Sequence, residues 1–215
     1  MRRREAVQLE LRAKTWGGKR KGGGRPRTAG WVSRKARPEF AKRYPLHITL
    51  RIRRDVGNLR TDKCFAEIQR AFLGGHNRFG MRLVEFSVQP DHIHLVVEAD
   101  GKESLTRGMQ GLTIRLARAI NRALGRKGKV FADRYHEHIL KSPAEVRNAV
   151  EYVRHNYAKH LRKRGKMPHP WDIDHYSSMS GRAVTYMEGY DWSALVIAAP
   201  ETWMLKRAVG PELRR

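Results

Sequence analysis

His92 and His94 stand two apart in the run Asp91-His92-Ile93-His94-Leu95-Val96-Val97. On a strand that spacing turns both imidazoles to one face and sends Ile93, Leu95 and Val97 into the core. Two neutral imidazoles side by side form half of a divalent-metal site and need a third ligand from elsewhere. The pattern is weak alone: with 10 histidines in 215 residues, chance supplies roughly 0.5 such pairs per chain. A second one, His136-Glu137-His138, is present; its histidines could position phosphate or be structural. Tyr152 and Asn156 make another constellation, one helical turn apart beside the apolar stripe Val146, Ala149, Val150 and Val153. A phenol and a metal-capable amide could therefore share one site, the alternative being a boundary tyrosine and a helix-surface asparagine. His47, Thr49, Arg51 and Arg53 fall on the polar side of a strand and could face the site, a bound partner or solvent. Asp91 reads most simply as a turn residue.

The elements that must position these groups follow from periodicity. Leu46 to Arg53 alternates apolar and polar residues over eight positions, which predicts a half-buried strand. Phe65, Ile68 and Phe72 recur at helical spacing between Thr61, a cap, and Gly74-Gly75, a stop. Leu83 to Val88 and His92 to Glu98 read as a hairpin joined by Gln89-Pro90-Asp91. Leu105, Met109, Leu112, Leu116 and Ile120 mark an amphipathic helix ending near Gly125, with Arg107, Arg115, Arg118 and Arg122 on its outer face. A fourth strand is expected within Val130 to Leu140. A final helix opens at Ser142-Pro143-Ala144-Glu145, a capping box with proline at the first helical position, and runs to about Arg162. The order implies an α+β, ferredoxin-like antiparallel sheet with helices mainly on one face, leaving the other face for a substrate.

The net charge of +24, from 45 Lys and Arg against 21 Asp and Glu, calls for a polyanionic partner, nucleic acid before membrane. The longest apolar stretch near the end, Ala194 to Ala199, is far short of the ~20 residues that span a bilayer. No secretory signal follows Met1, so a cytoplasmic, nucleoid-associated location is expected. The lone Cys64 leaves no internal disulfide and no cysteine-based zinc finger. Residues 1–43 are poor in apolar side chains and read as a flexible basic arm, in which Lys19, Arg20, Lys21, Arg25 and Arg27 suit loose phosphate contacts. Residues 44–165 form the expected catalytic domain and 166–215 a partly ordered tail carrying scattered aromatics such as Trp171, Tyr186, Tyr190 and Trp192. Arg51, Arg53, Arg115 and Arg118 are further candidates for nucleic-acid contact. Gly22-Gly23-Gly24 lacks the following Lys-Ser or Lys-Thr of a phosphate-cradling loop, so no nucleotide site is expected.

Taken together, Pro90-Asp91-His92-Ile93-His94-Leu95, the basic helix, the segment Phe131 to Leu140 and Glu151-Tyr152-Val153-Arg154-His155-Asn156 resemble the single-tyrosine HUH transposases. Over roughly residues 44–180 the likeness is greatest to the REP-associated tyrosine transposases, which carry the transposase IS200-like domain, and Tyr176-Ser177-Ser178 matches a serine-rich stretch of that subgroup. The resemblance implies an HUH-endonuclease fold, Tyr152 as nucleophile, and His92, His94 and Asn156 as ligands of Mg²⁺ or Mn²⁺. It further implies single-stranded or hairpin DNA as partner, a 5′-phosphotyrosine intermediate, and a monomer or homodimer. Family members often have proline after the asparagine; here Tyr157 stands there. Two other readings remain open: a non-catalytic, domesticated nucleic-acid-binding protein of the same fold, and a histidine-site zinc hydrolase of small phosphoesters, which leaves the basic arm unexplained.

Overall fold

A computed structural model of the chain describes residues 37–163, 165, 174–179 and 197–209. The elements are β1 (Leu46–Arg51), α1 (Asp62–Leu73), β2 (Asn77–Arg78), β3 (Met81–Val88), β4 (His92–Ala99), α2 (Lys102–Ala123), β5 (His136–Ile139), α3 (Pro143–Lys163) and a short α4 (Trp203–Val209). The strands form one antiparallel sheet in the order β2-β3-β4-β1-β5. Setting aside the two-residue β2, this is the βαββαβ connectivity of a ferredoxin-like α+β sandwich.

Local sequence explains where the elements begin and end. Thr61 caps α1, its hydroxyl accepting from the Cys64 amide at 3.3 Å, and Gly74 closes it. The α3 capping box forms with a shift of one residue: Ser142 accepts from the Glu145 amide at 3.2 Å, while the Glu145 carboxylate reaches back to the amide of Lys141 at 2.8 Å. Tyr157 does not end this helix, which continues for six more residues to Lys163. The expected fourth strand is shorter than Val130 to Leu140. Only His136–Ile139 pairs with β1, and upstream a single bridge joins Phe131 to Ile52.

The sheet has two unlike faces. Leu46, Ile48, Leu50, Phe86, Ile93, Leu95 and Val97 point to one side, where α1 and α2 close over them with Phe65, Ile68, Phe72, Met109, Leu112 and Leu116. Each such side chain fully removed from water stabilises the fold by about 1.5–3 kcal/mol, so this layer dominates the folding energy. On the second face α3 and α4 lie over Val84 and Val96 with Val146, Val150, Val153 and Leu205. The expectation of an uncovered face is thereby narrowed: the covered strands are β3 and β4, and what stays accessible lies toward β1 and β5, where His136 and His138 are exposed.

Of the expected arm, residues 37–43 lie against this core. Arg37 pairs with Glu137 and stacks on Tyr135, and Glu39 binds Lys102 at 2.7 Å. Lys19, Arg20, Lys21, Arg25 and Arg27 lie outside the described residues, as do Trp171, Tyr186, Tyr190 and Trp192 of the tail. Among the described residues, no helix is long and apolar enough to cross a membrane.

Candidate functional site

The β3–β4 turn holds the histidine pair through its backbone. The Gln89 amide donates to the His92 carbonyl at 2.8 Å, and the Asp91 and Pro90 carbonyls accept from Ile52 and Leu59 at 2.8 and 3.1 Å. His92 and His94 then project from one face, ring centroids 4.6 Å apart and nearly perpendicular. Each ring is oriented from behind. His92 Nδ1 sits 2.7 Å from the Asp91 carboxylate, which makes Asp91 an orienting partner besides a turn residue. Burial alone would raise the Asp91 pKa, but the His92 hydrogen bond and nearby positive charge together hold it below the ordinary carboxylate value. His94 Nδ1 lies 3.1 Å from His47 Nε2 and 3.2 Å from the Thr49 hydroxyl. With its hydrogen on Nδ1, His94 donates to that pair and leaves Nε2 as a bare acceptor. Desolvation, aided by the charges of His92, His47 and His160, pulls the His94 pKa down to about 3. Desolvation with His138 and His136 nearby pulls that of His47 down to about 4. Both rings are neutral near pH 7, the state a metal ligand requires.

Tyr152 meets this pair from α3. Its ring stands edge-on to His94 at 5.1 Å between centroids and to His47 at 5.8 Å, remains 37 % exposed, and has the Lys159 ammonium 5.5 Å from its centre. A tyrosine that is neither buried nor turned away, beside two neutral imidazoles, is reachable by a polymer chain. One turn on, Asn156 is buried, and its Nδ2 has no hydrogen-bond partner, nor has Nε2 of His94. An amide turned over presents its oxygen at the same place, so the donor set fits a divalent cation: two imidazole nitrogens and an amide oxygen. Among the described residues no group of three or more His, Cys, Asp or Glu could hold a metal. Among these residues, a third side-chain ligand beside His92 and His94 would come from another donor type, such as the Asn156 amide.

These features coincide with a recognised pattern: residues 41–156 match the family described as Transposase IS200 like, a span that runs from just before β1 to Asn156. The chain belongs to the IS200-like transposase family. Among solved structures it resembles that of a REP-associated tyrosine transposase bound to a REP hairpin, with 18 % identity, a TM-score of 0.50, and coverage of 66 % of this chain and 93 % of that one. It also matches a protein described as a transposase from Deinococcus radiodurans R1, with 14 % identity, a TM-score of 0.38, and coverage of 67 % and 100 %. At these identities the likeness is one of fold. No curated protein matches.

In this IS200-like transposase the arginines expected to touch nucleic acid are scattered. Arg51 closes β1 directly across from His92, so it borders the site. Arg53 is engaged with Asp55 at 2.8 Å. Arg115 and Arg118 lie on α2 with Phe79 and Ile114, on the opposite side of the sheet from Tyr152. The structure does not bring them together with the histidines.

Several residues at the site carried no sequence signal. Glu85 on β3 is fully buried, binds Arg154 at 2.7 Å, and accepts from the Ser178 hydroxyl, pinning α3 to the sheet two residues past Tyr152. His160, one turn after Asn156, places its ring 6.3 Å from that of His92. Arg60 donates to both Asp174 oxygens, at 2.7 and 3.2 Å, and to the Val88 carbonyl at 2.9 Å. Its guanidinium lies 3.5 Å over the Tyr157 ring and 4.4 Å from that of Tyr176. Tyr157, where proline was the family expectation, thus ties α3 to the start of α1 and to the 174–178 segment.

Proposed function

We propose that this family member cleaves and rejoins single-stranded DNA at hairpin or repeat sequences, with Tyr152 as nucleophile. The observation that carries the reading is the edge-on approach of Tyr152 to His94 at 5.1 Å, on the face where His94 Nε2 and the Asn156 amide lack partners. His92, His94 and Asn156 would hold a divalent cation, Mg²⁺ or Mn²⁺. When bound, it supplies charge to offset the build-up on a scissile phosphate. Asp91 and the His47–Thr49 pair fix the tautomers of the two imidazoles. Tyr152 attacks phosphorus in line, its oxygen forming the new P–O bond as the bond to the 3′-oxygen breaks. The phenol proton goes to solvent and the departing 3′-oxygen takes one up, leaving a 5′-phosphotyrosine and a free 3′-hydroxyl. Attack by a second 3′-hydroxyl reverses the step and joins strands without nucleotide hydrolysis.

The hairpin bound in the related REP-associated tyrosine transposase supports the choice of substrate, and the net charge of +24 suits any such polyanion. Residues 1–34 supply loose phosphate contacts, so their deletion lowers affinity and flattens its dependence on salt.

The test is Tyr152→Phe against wild type on labelled hairpin DNA with Mn²⁺. Wild type should give a covalent protein–DNA adduct that resists denaturation, and the variant none, with DNA binding retained. Equal cleavage by both, or binding without nicking by wild type, would replace this reading with that of a non-catalytic DNA-binding protein.

A further inference from the structure

Five buried side-chain polar atoms among the described residues have no hydrogen-bond partner, and buried groups so placed are uncommon enough that each calls for a cause. Two have one apart from the site. Arg82 Nη2 lies 3.2 Å from the Glu201 carboxylate, and the Tyr135 hydroxyl faces Thr106 on the α2 side of the sheet. The other three are His94 Nε2, Asn156 Nδ2 and Gln89 Oε1. The first two belong to the site already described. Gln89 is assigned nothing by that description.

Its position follows from the hairpin register. Ser87 pairs with His94 and Val88 with Ile93, and the Gln89 amide donates to the His92 carbonyl, which puts Gln89 directly opposite His92. Residues opposite one another in an antiparallel ladder share a face, with Cβ atoms about 4.5–5.5 Å apart. Gln89 Nε2 donates to the Ser87 hydroxyl at 2.8 Å, and Oε1 is the end without a partner. The side chain is completely buried. A buried amide oxygen without a partner costs about 1–3 kcal/mol, a cost that a ligand on that face would remove.

We propose that Gln89 is a further binding residue of the site, its Oε1 supplying a fourth contact, beside His92, His94 and Asn156, to a bound divalent cation. The proposal rests on the reading of these residues as a cation site. The resulting set of two nitrogens and two amide oxygens carries no net charge, so the whole charge of the cation is available to an incoming phosphate.

The test measures Mn²⁺ binding to the full chain without DNA, by calorimetry and by the loss of free-ion electron paramagnetic resonance signal, for wild type, His94→Ala, Gln89→Leu and Gln89→Glu. Gln89→Leu should weaken Mn²⁺ binding about tenfold or more while changing the melting temperature of the metal-free protein little, because the loss of one unsatisfied buried atom is offset by the Ser87 hydroxyl left without its partner. Gln89→Glu, which keeps an oxygen in place, should hold Mn²⁺ at least as well as wild type. If Gln89→Leu binds Mn²⁺ within twofold of wild type, or Gln89→Glu is as weak as Gln89→Leu, the contact does not exist. Should His94→Ala bind as wild type does, or wild type not bind at all, the cation site itself is absent and the role of Gln89 falls with it. Loss in His94→Ala with none in Gln89→Leu overturns the Gln89 contact alone.

Discussion

The two faces of one sheet solve opposite problems. Under α1 and α2 the β-strands present Leu46, Ile48, Leu50, Ile93, Leu95 and Val97, with no charged group among them. On the opposite face β3 and β4 present Arg82, Glu85, Ser87, His94 and Glu98, all buried. The first face gains its energy from area removed from water. The second retains polar groups at a desolvation cost and offsets most of it with pairs: Glu85 with Arg154, and Glu98 with Arg82 and with the Glu201 and Thr202 amides that open α4. Where pairing stops, at His94, Asn156 and Gln89, the deficit marks the site. The fold is thus stabilised mainly on one side, which leaves the other free to keep polar groups in place.

Perturbing each face in turn sharpens that contrast. The largest effect on stability should come from the polar face: Glu85→Ala leaves Arg154 unpaired beneath α3, a change that costs about 3–5 kcal/mol, read as a drop in the urea midpoint. Glu85→Gln, which keeps acceptors for Arg154, should lose less. A small loss in Glu85→Ala would mean that the seam under α3 is wetter than its burial implies. On the apolar face, Gly108→Ala pits helix propensity against space. Alanine gains about 1 kcal/mol in a helix interior, but its Cβ would lie 2.5 Å from Met81 Cβ, and overpacking of that kind costs about 1–3 kcal/mol. A net loss of about 1 kcal/mol is expected, with Mn²⁺ affinity unchanged, and a stabilised variant would show that α2 rides on β3 less closely. The smallest effect belongs to Arg115→Ala with Arg118→Ala, both exposed on α2. Stability should stay within about 0.5 kcal/mol. The salt slope of DNA binding should fall by roughly one for each phosphate left without its arginine, with adduct yield at saturating DNA unaltered. A fall in that yield would show that the faces are not independent.

Much of this arrangement is legible in the residues, because local patterns encode it. The alternation of β1, the Gln89-Pro90-Asp91 turn, the Thr61 cap and the Ser142 capping box each depend on neighbours a few positions away. The Tyr152 to Asn156 spacing needs only the helix. What escapes is short or long-range. β2 has two residues and β5 four, too few for a period to register, and seven-residue α4 lies beyond the family pattern. Glu85 looks like an ordinary solvent-facing position of a half-buried strand. Only the covering of β3 by α3 and its pairing with Arg154, 69 residues away, make it a core residue. Arg60 likewise has no meaning until Asp174, 114 residues on, arrives beside it. Gln89 reads as part of a turn until the ladder shows which residue stands across from it.

The Arg60 assembly bears on how freely Tyr152 can travel. For α3 to lift from the sheet, Tyr157 would have to leave a guanidinium that two carboxylate oxygens and a carbonyl hold in place, and Arg154 would have to leave the buried Glu85 carboxylate. Severing a shielded pair of this sort costs about 3–5 kcal/mol, which keeps detached conformations at about one molecule in a hundred or fewer. Tyr152 accordingly stands on a fixed wall of the cleft, so under the proposed function the DNA would have to bend to reach it.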